Sequence, residues 1–490
     1  MKKLFLGLGV ALVGLAAIVL WRAMTLEPTH YTAEPWAGPA FDENVLAEEL
    51  GAAIRFRTIS RQDGVTDDDA FAGFYRWMDR TYPNIAPHFV EAFSWSRIYK
   101  IEGSDPSLQP LLIMGHIDVV PVVPGTEKDW LRPPYAGEVA EGYLWGRGAL
   151  DMKGPTIMML HALNAKLATG FTPERPIYLA IHHDEEIGGQ DGAVAIAKWL
   201  KDNNIRPKLA FDEGGLIAAG LVPGVESPVA MIGVGEKGYL TLEIVAPGNG
   251  GHSSTPPRET AVGKLARAIT RLENAPFPGG LEGPVATMYE TLGAEMSFGQ
   301  KLMIANLWLF RPVLEAVMSE QPSADATLRT TIAPTMLEGS PKENVLAIKA
   351  KAMVNFRVHP RDTIDGVIER VKQVIADPDI TVHIPADGWP SEPSPFSDTN
   401  GPVWGQLTTT IAEVWPDLMI SPSLTVGATD SRHYREVSDN VYRFAPFTIT
   451  PDLRGGVHGT NERIALSDLR PMAQFYWRLV ENTHVEDAFD

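Results

Sequence analysis

Cysteine is absent from all 490 residues. That excludes thiolate catalysis, cysteine-based zinc fingers and disulfides together, so any metal must be held by histidine and carboxylate. The absence also suits an oxidising compartment. Positive charge is in short supply: 42 Lys and Arg face 61 Asp and Glu, a formal net charge of −19. Such a chain gains no counterion-release energy on nucleic acid, which excludes that partner class. Internal repeats and low-complexity tracts are also lacking. What remains is 44% hydrophobic and 21% charged, a globular composition. The length exceeds one ordinary core, so two domains are expected.

At the N-terminus, Lys2 and Lys3 precede an uncharged run from Leu4 to Trp21, closed by Arg22. Eighteen helical residues reach about 27 Å, the short end of a bilayer span. A signal peptide is the alternative, but Trp21 and Arg22 occupy the region where a small-x-small cleavage site would fall. The expectation is an uncleaved anchor in the inner membrane. Its lysines stay cytoplasmic and its body is exported; a cleaved N-terminus would instead give a secreted protein. Residues 25–39 read as a polar, proline-containing tether.

From about Phe41 to Gly235 helix-like and strand-like segments alternate. LAEELGAAIRF and AFAGFYRWMDRTY have helical spacing, whereas PLLIMGHIDVV, PIYLAIHH and KLAFD read as buried strands. This is the pattern of an α/β domain with a mostly parallel central sheet. After Glu236 the pattern changes to alternating strands, YLTLEIVAP and NVLAIKAKAMVNFRVHP, with two amphipathic helices, which suggests an inserted α+β domain. The expected organisation is an anchor and linker over 1–40, a catalytic domain split between 41–236 and 387–490, and an insert over 237–386. Within the insert, 275–340 is an extra apolar segment. Its stretch KLMIANLWLF is too apolar all round for one solvated helix face. It reads as a buried lid helix, or as a surface for a fatty chain or membrane.

Five residues with metal-ligand side chains follow in the order His116, Asp151, Glu186, Asp212, His458, with Glu185 beside the third. The first four stand where apolar runs give way to glycine-bearing turns, as sites do outside the carboxyl ends of strands in open α/β sheets. Taken singly, a histidine is more often a hydrogen-bonded structural residue, Asp151 and Asp212 could cap helices, and Glu185–Glu186 could be a solvated turn. Taken together, several acids at strand ends are costly unless a cation neutralises them. The expected arrangement is two zinc ions bridged by Asp151. His116 and Asp212 hold one ion, Glu186 and His458 the other, and Glu185 is left as general base. Asp118 is positioned to hold the second nitrogen of His116. His161, His182, His183, His359 and His433 lack this context and are read as structural.

HIDVVP, GRGALDMKG, HDEE, DEGG, GHSSTPP, the pair Asn344 and Arg357, and HGTNE resemble the dinuclear zinc peptidases of the aminoacylase, carboxypeptidase S and glutamate carboxypeptidase family. The match runs from about residue 43 to the C-terminus. IEGSDPSLQP, EKGY, GHSSTPPRET and TDSR extend it to the N-fatty-acyl-amino acid synthase/hydrolase branch. The resemblance implies the ligand and base roles above, a cis peptide after Asp151, and a ferredoxin-like lid and dimerisation domain. It implies that His252 stabilises an oxyanion, reaching the partner's site in dimeric members. Asn344 and Arg357 would contact the substrate's polar groups and carboxylate, and Gly427 and Thr429 would cradle it. The chain departs from the family in reading NVLA where a proline is usual, in its larger apolar segment, and in its anchor.

The expected protein is a zinc-dependent amidohydrolase, with cobalt or manganese as substitute metals. It would act on small N-acyl amino acids, including long-chain ones and in either direction, by a metal-bridging hydroxide with Glu185 as base. The rivals are a carboxypeptidase or dipeptidase on short peptides and, outside enzymes, a metal-free binding scaffold. A homodimer and membrane attachment through the anchor complete the expectation.

Overall fold

The computed structural model describes residues 2–27, 29, 31, 33–62, 66–386 and 388–482. The expected boundary at 387 and the last eight residues of the second catalytic part lie outside these, as do Pro28, His30 and Thr32 of the expected tether and the side chain of Lys2.

Strands Leu111–His116, Ile177–His182, Leu209–Asp212 and Met419–Thr425 are buried at every position. Strands buried at every residue form the middle of a sheet covered on both faces. They belong to a ten-stranded sheet in which Leu111–His116 pairs in parallel with both Ile177–His182 and Leu209–Asp212. Val441–Arg443 continues in parallel beside Leu209–Asp212, and Met419–Thr425 runs parallel to Val229–Glu236. Phe89–Phe93 and Ser96–Ile101 add an antiparallel edge.

Helices Glu43–Ile54, Lys153–Ala168, Pro402–Val414 and Leu466–Asn482 share one core, and Ala193–Asp202 packs in another with Tyr434. Helix Lys153–Ala168 is buried almost all round, which explains why PTIMMLHALNAKLA carries so little amphipathic pattern. A small antiparallel sheet joins Arg463–Ala465, Tyr143–Trp145 and Glu138–Ala140. It ties the HGTNE loop to the segment leading into Asp151.

The insert forms its own four-stranded antiparallel sheet in the order Thr331–Glu338, Lys349–Val358, Gly238–Pro247, Thr381–His383. With helices Ala261–Glu273 and Ile364–Ile375 on one face, this is the ferredoxin-like β-α-β-β-α-β order. Both long strands alternate buried and half-buried residues, so only one face meets the helices. Thr260 and Thr363 cap the two helices through the amides of Gly263 and Gly366.

Two expectations need correction. The stretch KLMIANLWLF is two helices, Phe298–Ala305 and Leu307–Met318, separated at Asn306. They belong to a helical cluster that packs on Val229, Met419 and Leu424 of the catalytic sheet, apart from the insert's own core. The tether, in turn, is strapped to the body. Trp404 Nε1 donates to the Tyr31 hydroxyl at 3.0 Å, the Trp36 amide donates to the Glu413 carbonyl at 3.2 Å, and Arg478 covers the Trp36 ring at 5.3 Å. Aromatic side chains in a polar segment thus find partners on helices Pro402–Val414 and Leu466–Asn482.

Candidate active site

The sheet delivers its chemistry at the carboxyl ends of its central strands. His116 ends its strand, Glu185 and Glu186 form a short turn after Ile177–His182, and Glu213 follows Leu209–Asp212 directly. Asp151 stands just before helix Lys153–Ala168, and its peptide bond to Met152 is cis.

Asp151 lies between the two histidines. Its Oδ1 is 3.1 Å from His116 Nε2 and its Oδ2 is 2.9 Å from His458 Nε2. His116 Nε2 is also 3.2 Å from Glu213 Oε1 and 4.0 Å from Glu185 Oε2, while His458 Nε2 is 3.1 Å from Glu186 Oε2. Asp118 Oδ1 is 3.3 Å from His116 Nδ1, and the Asp118 carboxylate accepts the amides of Glu185 and Glu186 at 3.3 and 3.2 Å. One buried acid therefore orients the histidine and holds the turn carrying the two glutamates.

The fourth carboxylate at the cluster is Glu213, where the sequence reading expected Asp212. Asp212 is the last strand residue, and its Oδ2 accepts the Ser431 amide at 2.9 Å. Successive residues of an extended segment point to opposite sides. Asp212 faces the turn Asp430–Glu436, which leaves the next residue to face the cleft.

Sequence reasoning also passed over Glu462. It is fully buried and accepts the amides of Leu150 and Asp151 through Oε1 at 2.8 and 3.2 Å, and that of Gly148 and the Arg147 guanidinium through Oε2 at 3.0 and 2.6 Å. It thereby fixes the Asp151 turn from the loop that carries His458. The signal lay in the final residue of HGTNE, which had been assigned no role.

Burial and mutual repulsion set the protonation of the cluster. Burial, with Asp151 nearby, pushes Glu213 up to about 8 and Glu186 up to about 7. Burial also raises Glu185 well above the carboxylate range; His116 opposes this, while Asp430, Glu213 and Glu186 add to it. Burial works against ionised Asp151, yet hydrogen bonds from His116 and His458 hold it below its usual value. Those to Asp151 and Glu186 lift His458 to about 10.

Four carboxylates thus crowd two histidines, and Glu186 Oε1 is buried with no hydrogen-bond partner among the described residues. Donor atoms of His116, Asp151 and Glu186 fall within 4.8 Å of one another, as do those of His116, Glu185 and Glu213. A site rich in oxygen and nitrogen donors and short of positive charge fits divalent cations.

The cluster opens into a cleft of about 860 Å³. One wall carries a four-layer stack. Tyr239 and Trp389 lie 3.9 Å apart and nearly parallel at 7°, with Arg357 4.8 Å from the Tyr239 ring centre and Arg432 5.3 Å from that of Trp389. Gly188 allows this close approach: a Cβ there would come within 3.1 Å of the Trp389 ring. Among the described residues, neither arginine forms an ion pair with an acidic side chain. Another wall is apolar, with Leu216, Leu221, Val222, Met231, Leu424 and Phe447.

Of the expected substrate contacts, Arg357, Gly427 and Thr429 line the cleft. Thr429 does so with its hydroxyl already 2.9 Å from Glu236 Oε2. His252 and Asn344 do not line it. Both are exposed on the insert, where the Ser253 amide donates to the Asn344 carbonyl at 3.1 Å and His252 Nδ1 meets the Ser254 hydroxyl at 2.8 Å. His182, read as structural, bridges Asp430 at 2.8 Å and the Tyr434 hydroxyl at 2.7 Å behind the cluster.

The family model described as peptidase family M20/M25/M40 matches residues 112–482. This chain belongs to that family. M20/M25/M40 relatives extend over nearly all of the chain. It is 36% identical over 448 residues to the N-fatty-acyl-amino acid synthase/hydrolase of Mus musculus, covering 89% of this chain and 87% of that one. It is 29% identical over 498 residues to carboxypeptidase S of Saccharomyces cerevisiae, covering 91% and 85%. Among solved structures, an M20 family metallo-carboxypeptidase from Sulfolobus solfataricus shares the fold with a TM-score of 0.64 at 18% identity, covering 91% of this chain and all of that one. Human carnosine dipeptidase 1 does so at 0.62 and 15%, covering 90% and 96%. The chain is therefore a hydrolytic enzyme of the M20/M25/M40 type, with a cluster that can hold divalent metal.

Proposed function

We propose that this enzyme hydrolyses the amide bond of N-acyl amino acids, with preference for a long acyl chain. The observation that carries this reading is the pairing, in one cleft, of the Asp151-centred cluster with the Arg357–Tyr239–Trp389–Arg432 stack and an apolar wall. Asp151 would bridge two divalent ions, His116 with Glu213 would hold one, and His458 with Glu186 the other. Such ions, when bound, make a water nucleophilic near neutral pH and polarise an amide carbonyl.

The remaining chemistry falls to the chain itself. Glu185 takes the proton of the attacking water and passes it to the leaving amine, so one carboxylate serves as base and then as acid. Asp118 fixes the ring orientation of His116. The guanidinium of Arg357, backed by the aromatic stack, receives the free carboxylate of the amino acid. The apolar wall receives the acyl chain. His252 and Asn344 are assigned to the substrate through closure of the insert or through a second subunit, since the resemblance gives them that role and their own chain leaves them outside the cleft.

Cleavage of short peptides would use the same catalytic groups, and the apolar wall is what favours the acyl substrate over it. A metal-free scaffold has no use for an intact donor set beside Glu185. For the N-terminal helix Lys2–Thr25 we propose the role of a membrane anchor holding the enzyme on the exported side. Its span Lys3–Thr25 is long and apolar enough to cross a bilayer, and only 6% of its apolar window is buried.

The test is amine release from N-acetyl through N-palmitoyl derivatives of one amino acid, alongside dipeptides, with zinc-loaded protein below micelle concentrations. Each methylene buried in the cleft is worth about 0.8 kcal/mol, so kcat/KM is expected to rise about fourfold per methylene until the wall is filled. A flat or falling series with efficient dipeptide cleavage would assign the enzyme to short peptides.

A further inference from the structure

The N-terminal helix does not stand apart from the body. Near its C-terminal end Val19 and Ala23 are buried, although most of the helix is exposed. The Asn306 side-chain amide donates to the Val19 carbonyl at 3.0 Å, and the Arg22 guanidinium donates to the Ala305 carbonyl at 2.8 Å. The joint between helices Phe298–Ala305 and Leu307–Met318 is thus fastened to the helix beside its last apolar turn. Val19 lies two residues inside the apolar run that ends at Trp21, about 3 Å along the axis.

Helix Leu307–Met318 is apolar on both sides. Leu307 and Met318 face the buried cluster formed with Val229, Met288 and Leu424. Trp308, Leu309, Val313 and Val317 face outward, each between 40% and 57% exposed, and Phe298 of the preceding helix is exposed with them. Positions 309, 313 and 317 follow an i, i+4, i+8 spacing and so form one stripe. Arg311 is exposed on the same helix but on a different side from the stripe.

We propose that the outward stripe of helix Leu307–Met318 is a membrane-contact face, lying in the headgroup and upper acyl region of the bilayer that the N-terminal helix crosses. The inference rests on the anchor reading of that helix. If the run Leu4–Trp21 spans the hydrocarbon, a helix fastened at Val19 begins at the depth of the interface. Tryptophan and apolar side chains are residues that depth accepts. A second copy of the chain docked on the stripe would leave the adjoining anchor helix exposed, whereas a bilayer covers both surfaces at once. The enzyme is then seated on the membrane at two points, with Met231 and Leu424 linking the helical cluster behind this face to the cleft's apolar wall.

The lack of native cysteine makes the test direct. Single variants Leu309→Cys, Val313→Cys and Val317→Cys of the full chain are labelled with an environment-sensitive fluorophore and reconstituted in phosphatidylcholine vesicles. Leu8→Cys, within the apolar run, and Val262→Cys, exposed on the insert's helix Ala261–Glu273, are the references. The expected result is a blue shift and loss of fluorescence at 309, 313 and 317 with lipids carrying a quencher near the headgroup, and protection from aqueous iodide. Leu8→Cys should be quenched by lipid-borne groups placed deeper, and Val262→Cys by iodide alone. Iodide quenching at all three stripe positions, with Leu8→Cys still quenched from the lipid, would overturn the contact face and leave the anchor standing. A Leu8→Cys label quenched from water would overturn the anchor and this inference with it. Protection that rises with protein concentration and ignores lipid quenchers would assign the stripe to a second copy and reject the bilayer.

Discussion

The two histidines of the cluster make the same kind of contact in opposite surroundings. The His116 side chain is 2% exposed, ends a central strand, and is held through its second nitrogen by Asp118. The His458 side chain is 55% exposed and sits on a loop at φ +57°. Both meet Asp151, one on each oxygen. The buried half is organised by the end of a central strand and by Asp118. The exposed half depends on a loop that the Glu462 carboxylate ties to the Asp151 turn. One half should therefore govern folding as well as binding, and the other mainly exchange of the ion.

The largest difference is expected within the Glu185–Glu186 pair, to which the proposed function gives separate duties. Glu185→Gln should lower turnover by roughly 10²–10⁴-fold while metal content stays unchanged. Glu186→Gln should lose or weaken one ion. Equal metal loss in both variants, read by elemental analysis, would merge the two roles and contradict the division.

Removing each histidine addresses the comparison itself. His116→Ala leaves Asp118 and Glu213 buried without their partner and should cost roughly 3–5 kcal/mol in the metal-free protein, seen in chemical denaturation. His458→Ala should weaken metal binding with a much smaller stability change, because solvent reaches that side. Similar losses from both would show that the loop is as rigid as the strand.

A pH series on the metal-free protein gives a smaller effect with a defined sign. Glu186 is raised to about 7 by burial with Asp151 adding, Glu213 to about 8 by the same two causes, and Asp184 to about 7 by burial with Asp430 adding. An acid whose folded pKa is raised binds more protons folded than unfolded between the two values, so stability falls as pH rises through that window. The melting temperature of metal-free protein should drop between about pH 5 and 8, and added zinc should flatten the slope. A melting temperature that climbs over this range would contradict the assigned protonation.

The smallest effect is expected at the aromatic wall. Trp389→Ala should raise KM for a substrate with a free carboxylate more than it lowers kcat, by loosening the Arg432 and Tyr239 packing. Arg357→Ala should do the same more strongly, and an amidated substrate should be insensitive to it. Equal loss for carboxylate and amide would remove the carboxylate role.

Much of this molecule was legible from its residues because the strands around Leu111–His116, Ile177–His182 and Leu209–Asp212 are largely apolar runs and the insert's strands alternate cleanly. Those patterns fix which positions end a strand, and His116 and Glu185–Glu186 follow from them, whereas Asp151 is marked by the glycine-bearing turn before helix Lys153–Ala168. The Asp212–Glu213 choice could not be read in that way. Both are acids at a strand end, and which faces the cleft depends on whether the strand stops at 212 or one residue earlier. Tyr239 stands in the sequence as part of EKGY and its partner Trp389 comes from a distant segment, so a stack between them exists only in three dimensions. The break at Asn306 was hidden because an asparagine inside an apolar run gives no stronger signal than a helical polar residue. Its reason is tertiary, a hydrogen bond to Val19. Tyr31 and Trp36 were likewise read as tether residues, and what pins them lies near residues 404 and 478.

The most direct measurement is the number of zinc ions bound per chain in the wild type and in Asp151→Asn, Glu213→Gln and Asp212→Asn, by native mass spectrometry and elemental analysis. The account expects two ions in the wild type, a loss at Asp151→Asn, one ion retained in Glu213→Gln, and both retained in Asp212→Asn. A single ion in the wild type, or metal lost from Asp212→Asn and kept by Glu213→Gln, would contradict a cluster built on Asp151 between His116–Glu213 and His458–Glu186.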